Sequence, residues 1–170
     1  MLIVMCGLQG TGKSTIAAQL GLQLPAPVLP VDPVELAMWA AGIDRDQPTG
    51  LAAFVVIGAL AGNMLRLGQT VIVDAVNDAE VARQQWRDLA ARHEVTLRFV
   101  EVVCSDEALH RRRLAGRADN DIAGAAEPTW ESVEARREGF TGWTDERLVL
   151  DAVDDVPGNV ARALAYVGQG

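Results

Sequence analysis

Gly7-Leu8-Gln9-Gly10-Thr11-Gly12-Lys13-Ser14 sets a lysine and a hydroxyl behind glycines in the spacing Gly-x-x-x-x-Gly-Lys-Ser. Those residue types in that order suit one task, the holding of a polyphosphate. Glycines let the backbone curl with no Cβ in the way, and the amides at a helix N-terminus then face the anion. In such a loop Lys13 reaches the β- and γ-phosphates and the Ser14 hydroxyl holds Mg²⁺. Context separates this reading from an incidental glycine-rich turn. The apolar run Leu2-Ile3-Val4-Met5-Cys6 leads directly into the loop, and Thr15-Ile16-Ala17-Ala18-Gln19-Leu20 leaves it with helical spacing of apolar residues. Strand before and helix after is the arrangement the motif requires. The expected contacts to a nucleoside triphosphate come from Gln9, Gly10, Thr11, Gly12, Lys13, Ser14 and Thr15.

Two carboxylates and a group of arginines could complete the chemistry. Asp32 closes Val28-Leu29-Pro30-Val31-Asp32-Pro33, and Asp74 closes Val71-Ile72-Val73-Asp74. A carboxylate at Asp32 could accept the proton of an acceptor hydroxyl; the bland alternative is a helix N-cap at an Asp-Pro entry. Asp74 follows β-formers as a Walker B carboxylate does and would polarise a Mg²⁺-bound water or orient the acceptor; otherwise it is a structural partner of Ser14 or Lys13. Arg111, Arg112 and Arg113 share a predicted helix, and Arg117 follows at its exit. Arg113 and Arg117 are four apart and so on one face. They suit charge developing on transferred phosphoryl oxygens, against the common case of a solvated helix surface. The stretch 118–128 after them is expected to work as a lid that brings arginines onto the phosphates.

These residues must be positioned by a regular frame. Strand-like runs are predicted at 2–6, 28–31, 70–74, 95–103 and 147–151, and helices near 13–23, 34–41, 51–67, 78–92, 105–117, 130–139 and 157–167. The strands lack strict polar alternation, as expected of parallel strands covered on both faces. Asn77-Asp78-Ala79-Glu80 reads as a capping box, Ser105 as an N-cap and Pro157 as a first-turn residue. Alternating β and α elements imply one parallel sheet between helices, and ligands then bind beyond the carboxyl ends of the strands. Lys13, Asp32 and Asp74 all fall there.

Bulk properties set the limits. One domain is expected of 170 residues, with 49% hydrophobic and 22% charged residues. A net charge of −8 argues against an extended nucleic-acid footprint. Cys6 and Cys104 lie in or at the end of apolar runs, with neither disulfide nor metal spacing. The N-terminal stretch reads as a buried strand rather than a leader, and Leu51 to Gly62 as a buried helix too short to cross a membrane. The expected setting is cytoplasmic. His93 and His110 carry no metal-ligand spacing and read as surface residues. Trp39, Trp86, Trp130 and Trp143 read as partly core, with Trp39 and Trp130 candidates for an acceptor pocket.

The chain resembles the small P-loop kinases of the AAA-domain kinase-like group, which includes zeta toxins, chloramphenicol phosphotransferase-like enzymes and polynucleotide kinase domains. The resemblance covers nearly the whole chain. It rests on Gly7 to Thr15, Asp32, Val71-Ile72-Val73-Asp74-Ala75-Val76-Asn77, Arg113-Leu114-Ala115-Gly116-Arg117 and the segment Pro128 to Phe140. It implies a P-loop NTPase three-layer sandwich with a five-stranded parallel sheet, helices on both faces and a small lid at about 113–130. It also implies ATP and Mg²⁺ at Lys13 and Ser14, Asp32 as general base, and Arg113 and Arg117 as phosphate ligands. One departure matters. Polynucleotide kinases of this kind carry an arginine one helical turn after the base, and here that position is Glu35. A carboxylate repels a nucleic-acid phosphate. A small neutral or cationic hydroxyl acceptor, such as a sugar, nucleoside or antibiotic, therefore fits better than a polynucleotide 5′-hydroxyl. A toxin kinase acting on an activated sugar and a slow ATP-hydrolysing switch remain alternatives; a switch needs no acceptor base.

Overall fold

The computed structural model describes residues 1–116 and 128–169. Its frame is β1 (Leu2–Cys6), α1 (Lys13–Gln23), β2 (Val28–Pro30), α2 (Val31–Ala40), α3 (Thr49–Arg66), β3 (Val71–Asp74), α4 (Glu80–Arg92), β4 (Leu97–Val103), α5 (Glu107–Ala115), α6 (Trp130–Arg137), β5 (Arg147–Asp151) and α7 (Val156–Val167). A short 3₁₀ turn, Glu138–Phe140, continues α6. The strands form one sheet in the order β2-β3-β1-β4-β5, every pair parallel. The expected α/β architecture is the one observed.

The apolar strands are continuous because both faces of the sheet are covered. Leu2, Val4, Cys6, Val71 and Val73 point to one face and pack with Ala53, Ile57 and Leu65 of α3 and with Trp86 and Leu89 of α4. Ile3, Met5, Ile72, Val100 and Leu150 point to the other, against Ile16, Ala17 and Leu20 of α1 and Val160, Ala163 and Val167 of α7. All five β1 residues are fully buried. Burying each larger aliphatic among them contributes about 1.5–3 kcal/mol, so the strand that carries the glycine loop is anchored in the middle of the core.

Several local expectations need correction. α2 begins at Val31, not at 34, because Pro33 in the first turn has no N–H to satisfy and its φ already suits a helix. The capping box at 77–80 does not form: the N-cap is Ala79 with no side-chain bond, since Asn77 and Asp78 are used elsewhere. Asp106 rather than Ser105 caps α5, its carboxylate accepting from the Leu109 N–H at 2.9 Å. Pro157 does lie in the first turn of α7. α3 is buried on one face only. It has the length and hydropathy of a membrane-crossing helix, with 33% of it buried, and Leu51, Val55 and Leu60 are exposed on its outer face. Of the lid expected at about 113–130, residues 117–127 lie outside the described residues, and Arg117 with them.

Candidate active site

The glycine loop joins β1 to α1 at the carboxyl edge of the sheet. Gly7 has φ +133, and a Cβ there would collide with the Val102 carbonyl of β4. Its N–H donates to the Val76 carbonyl at 3.0 Å, tying the loop entrance to the chain that leaves β3. Thr11 is buried and its hydroxyl donates to the Leu8 carbonyl at 2.9 Å, closing the loop on itself. Gly12 is the N-cap of α1 at φ +88, and nothing lies within 4 Å of where its Cβ would be. Open space over a left-handed glycine, directly ahead of helical amides, is what an anion needs. Lys13 is the first residue of α1 and is 4% exposed, while Ser14 and Thr15 are exposed on its first turn.

Asp74 sits on β3, in register with Met5 of the adjacent β1, so it stands beside the loop about one strand spacing, ~4.8 Å, away. It is 6% exposed, and its buried Oδ1 has no hydrogen-bond partner among the described residues. Neither Ser14 nor Lys13 bonds to it in this structure, so the purely structural alternative is not the arrangement present. A buried, unpartnered carboxylate oxygen costs free energy unless something binds it, and a cation-bound water fits that need. Among the described residues no group of three or more His, Cys, Asp or Glu side chains converges on a metal position. Ser14 and Asp74 together with substrate phosphates match the sparse protein ligation Mg²⁺ accepts.

Pro30 of β2 pairs with Asp74, and Asp32 follows two residues later in the first turn of α2. It is not the N-cap; Pro30 is, without a side-chain bond. The carboxylate therefore lies at the positive end of a helix, where a negative charge is favoured, and it is half-buried. Three residues further, Glu35 Oε1 accepts from the Thr49 hydroxyl at 2.8 Å, and that hydroxyl accepts from Trp39 Nε1 at 2.9 Å. Arg45 stacks over the Trp39 ring at 4.8 Å. Glu35 and Trp39 are thus both fixed by the Thr49 hydroxyl at the start of α3.

Arg113 is exposed, and its Nη1 donates to the Ala152 carbonyl just after β5, at 3.1 Å. It faces the end of β5 in this arrangement, and Arg111 takes a different course, pairing with Glu107 at 2.8 Å and stacking on Trp130 at 4.4 Å.

Three residues outside the expected set brace the loop and the chain beside it. Asn77 has φ +58 and is buried. Its amide donates to the Met5 carbonyl at 2.8 Å and its carbonyl oxygen accepts from Trp86 Nε1 at 2.8 Å. Arg83, also buried, donates to the main-chain carbonyls of Asn77, Asp78 and Gly139. The chain after Asp74 is thereby bound to β1, to α4 and to the turn after α6. His110, expected at the surface, is 1% exposed and lies against the loop, its Nε2 at 2.7 Å from the Gln9 carbonyl. Trp130 packs edge-on to it at 5.1 Å. The signal in the sequence was the four-residue step from His110 to Leu114, which marks one buried helix face. Burial raises both thiols, Cys6 far up and Cys104 as well.

A central strand running into Gly-x-x-x-x-Gly-Lys-Ser, with a carboxylate at the end of the neighbouring parallel strand, defines a P-loop nucleotide-binding fold. Known families agree. The AAA domain family matches residues 2–140, and the chain belongs to it. Solved structures share the fold across nearly the full length. A gluconokinase from Sinorhizobium meliloti is 20% identical with a TM-score of 0.70, covering 98% of this chain and 91% of its own. Chaetomium thermophilum Kti12, in complex with ADP-AlF3, is 20% identical with a TM-score of 0.75, covering 99% and 97%. The Mycobacterium tuberculosis APS kinase CysC, in complex with AMPPNP and APS, is 17% identical with a TM-score of 0.71, covering 99% and 97%. A search of curated proteins found no match.

Proposed function

We propose that the chain is an ATP- and Mg²⁺-dependent phosphotransferase that moves the γ-phosphoryl group to a hydroxyl of a small molecule, such as a sugar, nucleoside or antibiotic. One observation carries this reading: Lys13, Asp74 and Asp32 stand in a row along one edge of the sheet, after the adjacent strands β1, β3 and β2. Lys13 and the loop amides stabilise charge that grows on the transferring group. Asp32 takes the proton as the acceptor oxygen forms its bond to the γ-phosphorus and the bond to the β-phosphate oxygen breaks, leaving ADP. Ser14 and Asp74 are the residues that would hold Mg²⁺, which would supply positive charge against the phosphate oxygens. Arg113 and Arg117 engage the phosphates in the closed state, which for Arg113 requires release of the Ala152 carbonyl. Phosphoryl transfer asks little covalent chemistry of a protein, so a positioned base and fixed positive groups suffice.

Glu35 supports a small acceptor over a polynucleotide. It is anchored by Thr49 three residues along the helix from Asp32, where a nucleic-acid phosphate would meet a fixed negative charge. The test is a coupled ADP-release screen over sugars, nucleosides, antibiotics and 5′-hydroxyl oligonucleotides. Acceptor-dependent ADP release with a small molecule is the expected result. Release stimulated only by oligonucleotides moves the assignment to polynucleotides, and hydrolysis that no acceptor stimulates moves it to a switch.

A further inference from the structure

The phosphate loop is braced from outside by the two helices that flank residues 117–127. A small cluster apart from the main cores joins Leu8 of the loop, Val76 after β3, Leu114 of α5 and Val133 of α6, with Trp130 and Phe140 packed against it. Gly10 lies against α5, where a Cβ would come within 3.2 Å of His110 Cδ2 and 3.3 Å of Leu114 Cα. At the centre is His110, buried, with Nε2 at 2.7 Å from the Gln9 main-chain oxygen. A carbonyl only accepts, so the imidazole donates its Nε2–H.

This contact fixes more than one atom. In a trans peptide the carbonyl of Gln9 and the N–H of Gly10 point in opposite directions. An oxygen held outward by His110 leaves the Gly10 N–H directed to the opposite side of the peptide plane. Among the described residues the loop's own bonds are Thr11 N–H and Thr11 hydroxyl to the Leu8 carbonyl; none uses the Gly10 amide. Gly10 has φ +84, and glycine tolerates either orientation of a neighbouring peptide about equally well. Something outside the loop must therefore choose between them. A flipped peptide would present an oxygen, not a donor, to an anion.

We propose that His110 is a positioning residue for the phosphate loop: it clamps the Gln9–Gly10 peptide with its amide available to phosphate, and Trp130 holds the imidazole in place. This rests on the nucleotide reading of the loop. Nucleotide affinity then depends on a side chain that itself touches no nucleotide, and on the packing of the first residue of α6. Arg111, stacked over the Trp130 ring at 4.4 Å, extends the same brace to the surface.

The experiment measures binding of a fluorescent ATP analogue with Mg²⁺ to wild type and four variants, with melting temperature recorded for each. His110→Phe keeps an aromatic ring against Trp130 and removes the donor; affinity should fall roughly three- to tenfold, the range for one hydrogen bond. His110→Gln, whose amide nitrogen reaches the Nε2 position, should bind within about twofold of wild type on the same scale. Trp130→Leu should fall between them, and Lys13→Ala should bind least. Wild-type affinity in His110→Phe, or a loss in His110→Gln equal to that in His110→Phe, would overturn the clamp. If wild type binds and Lys13→Ala does not, that failure belongs to His110 alone; if wild type does not bind the analogue, the nucleotide reading falls and takes the clamp with it. Nitrogen-15 NMR of unmutated protein covers variants that do not fold. With two histidines in the chain, His93→Gln assigns the signals, and His110 should carry its proton on Nε2. A ring protonated on Nδ1 alone would refute the proposal.

Discussion

The two ends of the candidate site are built to different standards. On the nucleotide side, β1 and Val71 to Val73 of β3 are wholly buried, and Lys13 and Asp74 are 4% and 6% exposed. Gly7 and Asn77 tie the loop entrance and β1 to the chain after β3, and His110 ties the loop to α5. On the acceptor side, α2 buries Val31 alone, and residues 41–48 are exposed throughout. One polar chain, Glu35 to Thr49 to Trp39, gives that side its order. Groups that stabilise a transition state must be in place before it forms, and a core anchor provides that. Groups that select an acceptor need only a local scaffold, and changing them leaves the sheet intact. A fold of this kind can exchange acceptors without losing transfer chemistry.

The comparison is broken most severely from the nucleotide side. Lys13→Ala should lower phosphoryl transfer by at least about 10²-fold, the usual loss for one group that stabilises developing charge, with little change in melting temperature. Steady-state ADP formation checks it, and activity within about tenfold of wild type would remove the loop from the mechanism. Asp32→Asn lies at the junction of the two sides. It should cost about 10² in kcat while ATP affinity holds, since general-base catalysis supplies at least that much; turnover within threefold would leave Asp32 a helix-end charge only. Trp39→Ala should raise the KM for the acceptor by about tenfold and leave kcat and the KM for ATP alone, the pattern of lost ground-state binding. An equal fall in kcat would mean that Trp39 supports the transition state and that the two sides are not separable.

The smallest effect concerns stability away from both sides. Arg87 pairs with Asp145 at 2.7 Å, and its guanidinium holds the Asp145 carboxyl below the usual carboxylate range. A depressed folded-state pKa stabilises the fold above the unfolded value, about 3.9, and that contribution is lost as pH falls through the lower folded value. Arg87→Ala should therefore cost about 1 kcal/mol at neutral pH, with the gap to wild type closing at acid pH, as the Asp145 carboxylate becomes protonated. Urea melts at both pH values check this. A pH-independent gap would assign the loss to packing of Arg87 instead.

The same contrast explains what the sequence made legible. β1, the glycine loop and Asp74 were readable because two-sided burial demands unbroken apolar runs and a phosphate loop demands glycines at fixed spacing. Asp32 was readable as a strand-end carboxylate, but its place inside the first turn of α2 depended on Pro33 extending the helix backwards. His110 and Asn77 were misread for one reason: their partners are main-chain atoms distant in sequence, Gln9 and Met5, and no local pattern announces a carbonyl in need of a donor. Arg113 was placed on its helix correctly, whereas its contact with the Ala152 carbonyl depends on how β5 ends, which periodicity does not describe. The acceptor side was least legible, because an exposed scaffold imposes no periodicity beyond its own helix.

The strand order carries a consequence for synthesis. β1 pairs with β3 from Val71 and with β4 from Leu97, so Leu2 is made 69 residues ahead of its partner on one side. At about 5–20 residues per second, the sticky segment Leu2-Ile3-Val4-Met5-Cys6 waits roughly 3 to 14 seconds for a neighbour. During that interval it has the makings of an aggregation site: β-prone, uncharged and free of proline. The strand that later becomes the most protected part of the molecule is, on the ribosome, the part most in need of a chaperone.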